Sequence, residues 1–425
     1  MDRLSAYCTY FSSRHFLTVI FFISGTLLNH ADALANPAFA RQYGVSCVLC
    51  HAAFPRLNSF GREFLDKNIR MEGWEKAVGA DTGDARLVLP KFPQLAMRAQ
   101  AFAQARQNDA RDVNNQPGLT YNSNYDFQSP YLIKLMSGAP LSENISYYFY
   151  GILAEKGANG SVIVEDAWAK HSNIFGAKIG LMFGQFQISD FMYGRETRLT
   201  VQDFMVYRMA GITYDRGIAL DRSFGPLTVS MAFTNGNGIE ERASLNSAGF
   251  NRPDATFDRD SRKNAVMHLG LKLGDLNAGM LFLDGNHENA AKTDMTDKRV
   301  YGVNLSYARG ERWFLFSQWL WSEWYDFVTP GKVARWQGGF LGADYILNDD
   351  WAFSLLYNTV GAGDLENDNQ YKYDGLRTNT LTATTAYYFM RNVRGVIEAN
   401  YDFLKVGGRH LTKENYLLVG VDLAY

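Results

Sequence analysis

Cys47, Cys50 and His51 are the residues of this 425-residue chain whose types and spacing name a chemistry most directly. In Cys47-Val48-Leu49-Cys50-His51 two thiols stand three residues apart and an imidazole follows at once. Such a pair can form thioethers to the two vinyl groups of one haem, drawing the adjacent histidine under the ring as proximal iron ligand. The expectation is one covalently attached haem c, held by Cys47 and Cys50 and ligated by His51. The alternatives are a thioredoxin-like redox pair and half of a zinc site. Neither a βαβ pattern nor a second cysteine pair accompanies the motif to support them.

A haem iron has a second axial position. Met71 could fill it and give a His/Met pair of raised potential, although a methionine there also serves as an ordinary gap-filler. His268, expected to face a lumen, and His171, expected at a periplasmic turn, are further candidates. His287 and His410 fall in segments read as external loops and are expected to be solvated. The same loops gather Glu240, Glu241, Asp254, Asp258 and Asp260, then Asp284, Glu288, Asp294 and Asp297. Hard oxygen ligands of this kind suit ferrous iron or another divalent cation, and solvated loop surface is the plainer reading. Trp313, Trp319, Trp321, Trp324 and Tyr325 suggest an electron relay, which an interface girdle explains more simply.

These groups must be carried by an exported chain. Arg3, Arg14 and His15 precede an apolar run from Phe16 to Leu28, which leads into Ala33-Leu34-Ala35. This is the pattern of a signal peptide over residues 1–35, with the mature chain starting at Asn36 and Cys8 lost on processing. Residues 36–86 read as a small, mainly helical segment. It holds the cysteine motif and a helix expected over Pro55–Arg70, where Leu57, Phe60, Phe64 and Leu65 recur at three- and four-residue spacing.

From residue 87 to 425 the periodicity changes to two. Aromatics make up 14% of the chain, with 24 Tyr, 29 Phe and 38 Gly, the composition of an exported chain that crosses a membrane with strands. A formal net charge of −2 gives no reason to expect a nucleic-acid partner. Leu227, Val229, Met231 and Phe233 alternate with small or polar residues, as do Trp351, Phe353, Leu355 and Tyr357. Sixteen such runs are expected, starting near Leu95, Pro130, Asn144, Ser161, Gly176, Arg216, Pro226, Lys263, Leu276, Lys298, Arg312, Ala334, Trp351, Leu376, Val393 and Asn415. Every second connection is short, around Pro140, Asn173, Phe224, Gly274, Gly310, Asn348 and Asn392. The longer ones (107–128, 188–213, 237–262, 285–297 and 361–375) are expected outside. The last strand alternates Leu417, Val419, Val421, Leu423 and Tyr425. The fold class expected is all-β: a 16-stranded antiparallel transmembrane barrel in the outer membrane, in contact with its lipid, preceded by the haem segment.

Ala35-Asn36-Pro37-Ala38-Phe39-Ala40-Arg41-Gln42, the cysteine motif, and Phe54-Pro55-x-Leu57-x-x-Phe60-Gly61-Arg62-x-Phe64 together resemble the fused monohaem cytochrome–porins of iron-oxidising bacteria. The likeness is specific over about thirty residues of the haem segment and only architectural in the barrel. It implies oxidation of extracellular Fe(II), or of another reduced donor, with electrons passed to a periplasmic cytochrome c, an iron:cytochrome c oxidoreductase activity. The 25 Å height of such a barrel wall leads to a further expectation, that residues 36–86 fold back as a plug holding the haem within the barrel. The competing readings are a diffusion porin with a haem-bearing plug, and a periplasmic electron acceptor anchored by a barrel that transports nothing.

Overall fold

In hydrocarbon every backbone N–H and C=O must find its partner within the protein, and a closed antiparallel sheet satisfies all of them without leaving an edge. The chain meets that demand in a computed structural model. It describes residues 38–71, 83–84, 94–106, 125–155, 158–236, 238, 261–289, 291, 293–361, 378–390, 392–403 and 415–425. All of these belong to one compact unit, Asn36–Tyr425. The export segment 1–35, His410 and the loop carboxylates Glu240, Glu241, Asp254, Asp258 and Asp260 lie outside the described residues.

The N-terminal segment contributes helix α1 (Ala38–Tyr43), a 3₁₀ turn (Cys47–Leu49), a hairpin of β1 (His51–Ala53) and β2 (Arg56–Leu57), and helix α2 (Ser59–Asp66). Sixteen barrel strands follow. The first eight are β3 (Leu95–Arg106), β4 (Tyr125–Pro140), β5 (Ile145–Glu155), β6 (Ala158–Ile174), β7 (Ile179–Gln187), β8 (Tyr214–Phe224), β9 (Leu227–Thr234) and β10 (Asn264–Leu273). The second eight are β11 (Leu276–Glu288), β12 (Met295–Arg309), β13 (Trp313–Tyr325), β14 (Val333–Ile346), β15 (Trp351–Gly361), β16 (Thr378–Met390), β17 (Val393–Asp402) and β18 (Tyr416–Ala424). Each strand pairs antiparallel with its neighbours, and β18 closes on β3 through pairs such as Leu417↔Ala105 and Leu423↔Ala99.

Every expected strand is present. The largest shift in a start is at β4, which begins at Tyr125 rather than Pro130. Alternation sorts the faces: along β18, Leu417, Val419, Val421 and Leu423 are exposed on the lipid side, while Leu418 and Asp422 are buried within. The tightest hairpins need a left-handed residue, supplied by Gly225 (φ +61°) and Gly274 (φ +61°). The connection expected over 285–297 is shorter than that, because β11 runs on to Glu288 and β12 resumes at Met295.

The connection 188–213 corrects the expectation of an external loop. It carries two short 3₁₀ turns and helix α3 (Met205–Ala210) and folds into the lumen, where α3 contacts β13, β14 and β15. Its apolar side chains explain this, since Ile188, Phe204, Val206, Tyr207 and Ile212 are all buried. They pack against Leu283, Phe316, Leu320, Phe340 and Leu356 from the inner wall, so this side of the lumen is a dry core. Phe204 and Phe340 stack with centroids 4.2 Å apart. Polar contacts fasten the loop on its other side. The Val201 and Gln202 amides donate to the Glu398 carboxylate at 2.6 and 2.9 Å, and Asn358 Nδ2 donates to the Asp203 carbonyl at 3.1 Å.

Glu398 also accepts from Thr384 Oγ1 and Tyr416 Oη, each at 2.7 Å. Glu398→Ala leaves two amides and the Thr384 hydroxyl without this acceptor, a cost on the order of 3 kcal/mol. The expected outcome in detergent is faster proteolytic cleavage within 188–213 with the barrel intact. A cleavage rate equal to that of the parent chain would show that the carboxylate does not hold the loop.

Candidate functional site

The cysteine motif is built as a tight turn. The Cys50 amide donates to the Cys47 carbonyl at 3.1 Å, and in a 3₁₀ turn side chains three apart eclipse. Both thiols are therefore half-buried on one side of the turn, as attachment to neighbouring edges of one ring requires. Burial, and then the nearby Cys47, push the Cys50 thiol up from its ordinary value. Thiol–disulfide chemistry depends on a thiol shifted the other way.

Asn58 buckles this turn to the following helix. Its Nδ2 donates to the Leu49 carbonyl at 2.9 Å and the Val48 carbonyl at 3.2 Å, and its amide donates to the Cys50 carbonyl at 2.9 Å. Its Oδ1 accepts from the Gly61 amide at 2.8 Å, which makes it the N-cap of α2. The helix expected over Pro55–Arg70 is thus shorter. Pro55 lies in the β1–β2 connection, and Asn68 and Ile69 take left-handed φ of 64° and 54°, which end the helix. Gly61 presses against the motif, and a Cβ there would sit 2.1 Å from the Cys50 carbonyl oxygen. Phe39 and Tyr43 of α1 meet Phe64 of α2 edge-on at 5.4 and 5.8 Å.

His51 Nδ1 lies 3.1 Å from the Pro55 carbonyl oxygen. A carbonyl can only accept, so Nδ1 carries the proton and Nε2 keeps its lone pair, the arrangement of a histidine held ready for a metal. Burial pushes the imidazole down to about 4; hydrogen bonding to the Pro55 and Arg56 backbone opposes this and Arg98 adds to it, so the ring is neutral at pH 7. The Phe54 ring meets His51 edge-on at 5.5 Å and carries the Arg98 guanidinium 5.3 Å from its centroid. Two thiols on one turn beside a neutral imidazole whose Nδ1 is held by the Pro55 carbonyl fit a covalently held haem.

The segment is docked on the short-turn end of the barrel. On one side Asn68 Nδ2 donates to the Asn144 carbonyl at 3.2 Å, Ser146 Oγ donates to Asn68 Oδ1 at 2.5 Å, and Arg70 Nη1 donates to the Glu143 carbonyl at 2.7 Å. On the opposite side of the ring Arg56 donates to the Glu311 carbonyl and faces Asp344 at 3.8 Å, and Ser59 Oγ donates to Glu311 Oε1 at 2.8 Å. Between them Tyr388 Oη donates to the Phe54 carbonyl at 2.6 Å, and Ala53 packs with Leu199 of the folded-in loop, Ile346 and Ala386. The segment thereby crosses the mouth from the β4–β5 turn to the β12–β13 turn.

The other expected ligands are scattered. Met71 ends the described stretch beside Tyr43, whose hydroxyl donates to the Ile69 carbonyl at 3.1 Å. His268 faces inward as expected, but it is engaged with Asn304 Oδ1 at 3.0 Å on β10, across the ring from the β3 and β16 residues that flank Phe54 and His51. His171 Nδ1 accepts from the Asn173 amide at 3.1 Å. His287, expected in a solvated loop, is instead packed between Trp324 and Phe327, both at 4.9 Å, because β11 extends to include it. Asp284 pairs with Arg299 at 2.9 Å and Asp297 pairs with Arg262. Among the described residues no group of three or more His, Cys, Asp or Glu is placed to hold a metal ion. Trp313 and Trp321 face lipid, in keeping with a girdle, but Trp324 turns inward and meets Trp336 at 5.8 Å. Arg56, Asn58, Arg98, Tyr388 and Asp344 were not singled out from the sequence. Of these only Asn58, a capping residue three before a glycine-led turn of helix, left a local signal.

No protein-family profile and no curated protein sequence matches the chain. Among solved structures the chain is similar to the outer-membrane channel DcaP of Acinetobacter baumannii, at 13% identity and a TM-score of 0.55, covering 78% of this chain and 96% of that one. It is similar to the anion-selective porin from Comamonas acidovorans, at 12% identity and a TM-score of 0.54, over 78% of this chain and 98% of that one. A Salmonella typhi OmpF complex aligns at 12% identity and a TM-score of 0.51, over 78% and 97%. The fold is that of outer-membrane porins, and a closed barrel with an apolar outer face belongs in that membrane.

Gly61→Ala forces a methyl against the Cys50 carbonyl, so α2 must withdraw from the turn. The expected outcome, read by intact-protein mass, is a lower fraction of chains carrying covalent haem. Full attachment would mean that the Gly61 contact does not shape the turn.

Proposed function

We propose that the chain is an outer-membrane c-type cytochrome that takes electrons from an extracellular reductant, ferrous iron before others, and passes them to a periplasmic cytochrome c. The observation that carries this reading is the pairing of eclipsed Cys47 and Cys50 with a His51 whose Nδ1 is tied to Pro55. A haem bound there would supply a one-electron Fe(III)/Fe(II) couple. His51 Nε2 would be its proximal ligand. Met71, from the same segment, is the distal candidate, and His268 is the alternative from the wall.

The chain's own residues set where such a centre works. Phe54, Tyr388 and Arg98 hold the His51 side of the segment against the wall, and Arg56 and Asn68 fix it at opposite edges of the mouth. Val48, between the two cysteines, is exposed, which leaves the motif open to a periplasmic acceptor. On the lumen side a cavity of about 450 Å³ lies between the folded-in loop and β3, β4 and β18, with Arg98, Lys134 and Glu196 in its wall. This gives a small reductant from outside a way toward the segment.

That cavity also favours the second reading, a diffusion porin with a haem-bearing plug. The two differ in what the mouth passes. Liposomes containing the intact chain are expected not to swell in sugar solution. Arg56→Ala, which leaves the buried Asp344 unpaired at a cost of about 3 kcal/mol or more, is expected to raise ion conductance across a planar bilayer. Ready sugar uptake by the intact chain would establish the diffusion porin instead.

The electron-transfer reading is tested by the optical spectrum of purified protein during addition of ferrous iron at neutral pH. The expected outcome is conversion of an oxidised to a reduced c-type spectrum. A haem that stays oxidised rules out iron as donor, and a chain without haem rules out the cytochrome.

A further inference from the structure

Three barrel residues below His51 form a unit for which neither the channel fold nor the haem motif has a use. Arg98 on β3 and Arg394 on β17 converge on one carboxylate, Asp422 of β18. Arg98 Nη2 and Nε reach Asp422 Oδ2 and Oδ1 at 2.7 and 3.0 Å, and Arg394 Nη2 and Nε reach Oδ2 at 2.8 and 3.0 Å. Asp422 and Arg394 are almost wholly buried. Two guanidinium groups share one carboxylate, so the unit keeps one positive charge that nothing within it cancels. Among the charges nearby, Lys134 pairs with Glu196 at 2.6 Å and Arg56 faces Asp344 at 3.8 Å, while Arg195 and Arg198 share Asp203 at 2.5 and 3.7 Å and Glu196 is also within electrostatic reach of Arg98.

The unit faces the motif. Phe54 stands between the Arg98 guanidinium and the His51 imidazole, 5.3 Å from one and 5.5 Å from the other. Tyr388, which holds the Phe54 carbonyl, is itself adjacent to Arg394. A buried charge at this range is weakly screened by salt. Ferric iron carries one more positive charge than ferrous iron, so a fixed positive charge favours the reduced state.

We infer that the Arg98–Asp422–Arg394 unit is an electrostatic tuner that raises the reduction potential of an iron centre ligated by His51. Arg98 and Arg394 act through the field and do not ligate the metal. The inference rests on the haem reading above.

The test is a spectroelectrochemical titration of the full haem-loaded chain in a charge series. Arg98→Gln and Arg394→Gln remove the excess charge, and each is expected to shift the midpoint potential downward. Arg98→Lys keeps the charge and is expected to stay with the parent. Asp422→Asn exposes a second positive charge and is expected to shift the potential upward. Should Asp422→Asn fail to fold, the Arg98→Gln and Arg98→Lys pair decides alone. A potential indifferent to Arg98→Gln, or one that falls equally in Arg98→Lys, overturns the tuner while leaving the cytochrome in place. A parent chain that carries no covalent haem overturns the reading on which it rests.

Discussion

Arg56 carries a guanidinium from the N-terminal segment into the barrel wall, where the Glu311 carbonyl accepts from it and Asp344 balances its charge. A buried arginine without these partners would be costly to place there, so the segment binds the mouth in one register or not at all. That register brings the Phe54 carbonyl to Tyr388 and the Phe54 ring to Arg98. It also sets His51 beside the Phe54 ring while Val48, inside the cysteine motif, stays exposed. A porin-like barrel and a short cysteine motif thus become one object, with the motif positioned by the wall more than by its own two short helices.

The lumen is divided in a way that supports this arrangement. Loop 188–213 fills the side lined by β11 to β15 with aromatic and aliphatic side chains. Next to it, on β16 and β17, the inner face carries buried polar groups such as Thr380, Thr382, Glu398 and Asn400. The lumen cavity lies beyond them, between the folded-in loop and β3, β4 and β18, with Arg98 in its wall beside Phe54. Leu199 links loop and segment by packing on Ala53, so segment, loop and wall share contacts.

The barrel was legible in the sequence because a lipid-facing strand alternates at every second residue, a pattern clearest in runs such as Leu227–Phe233 and Trp351–Tyr357. Strand ends were less so: His287 lies inside β11 because pairing with β12 continues beyond the point where polarity rises. Loop 188–213 was misplaced although its Phe204, Val206, Tyr207 and Ile212 carried the warning, since apolar residues dense enough for a core seldom face water. In the segment, spacing alone extended α2 to Pro55, but hydrogen bonds of Asn58 to the cysteine turn start it at Ser59. Cys47, Cys50 and His51 could be named from local order. Arg98, Asp344, Tyr388 and Asp422 could not, because alternation shows which way a strand residue faces and not what meets it from another part of the chain.

The proposed cytochrome requires its iron to be seated at the short-turn mouth of the barrel. Paramagnetic relaxation from the oxidised haem to a nitroxide tests this directly, with labels at Asp349→Cys in the β14–β15 turn and at Asp294→Cys in the β11–β12 connection of the other rim. Strong relaxation enhancement at position 349 and little at 294 is the expected result. Comparable enhancement at both, or a stronger effect at 294, would contradict the docking of the haem segment described here.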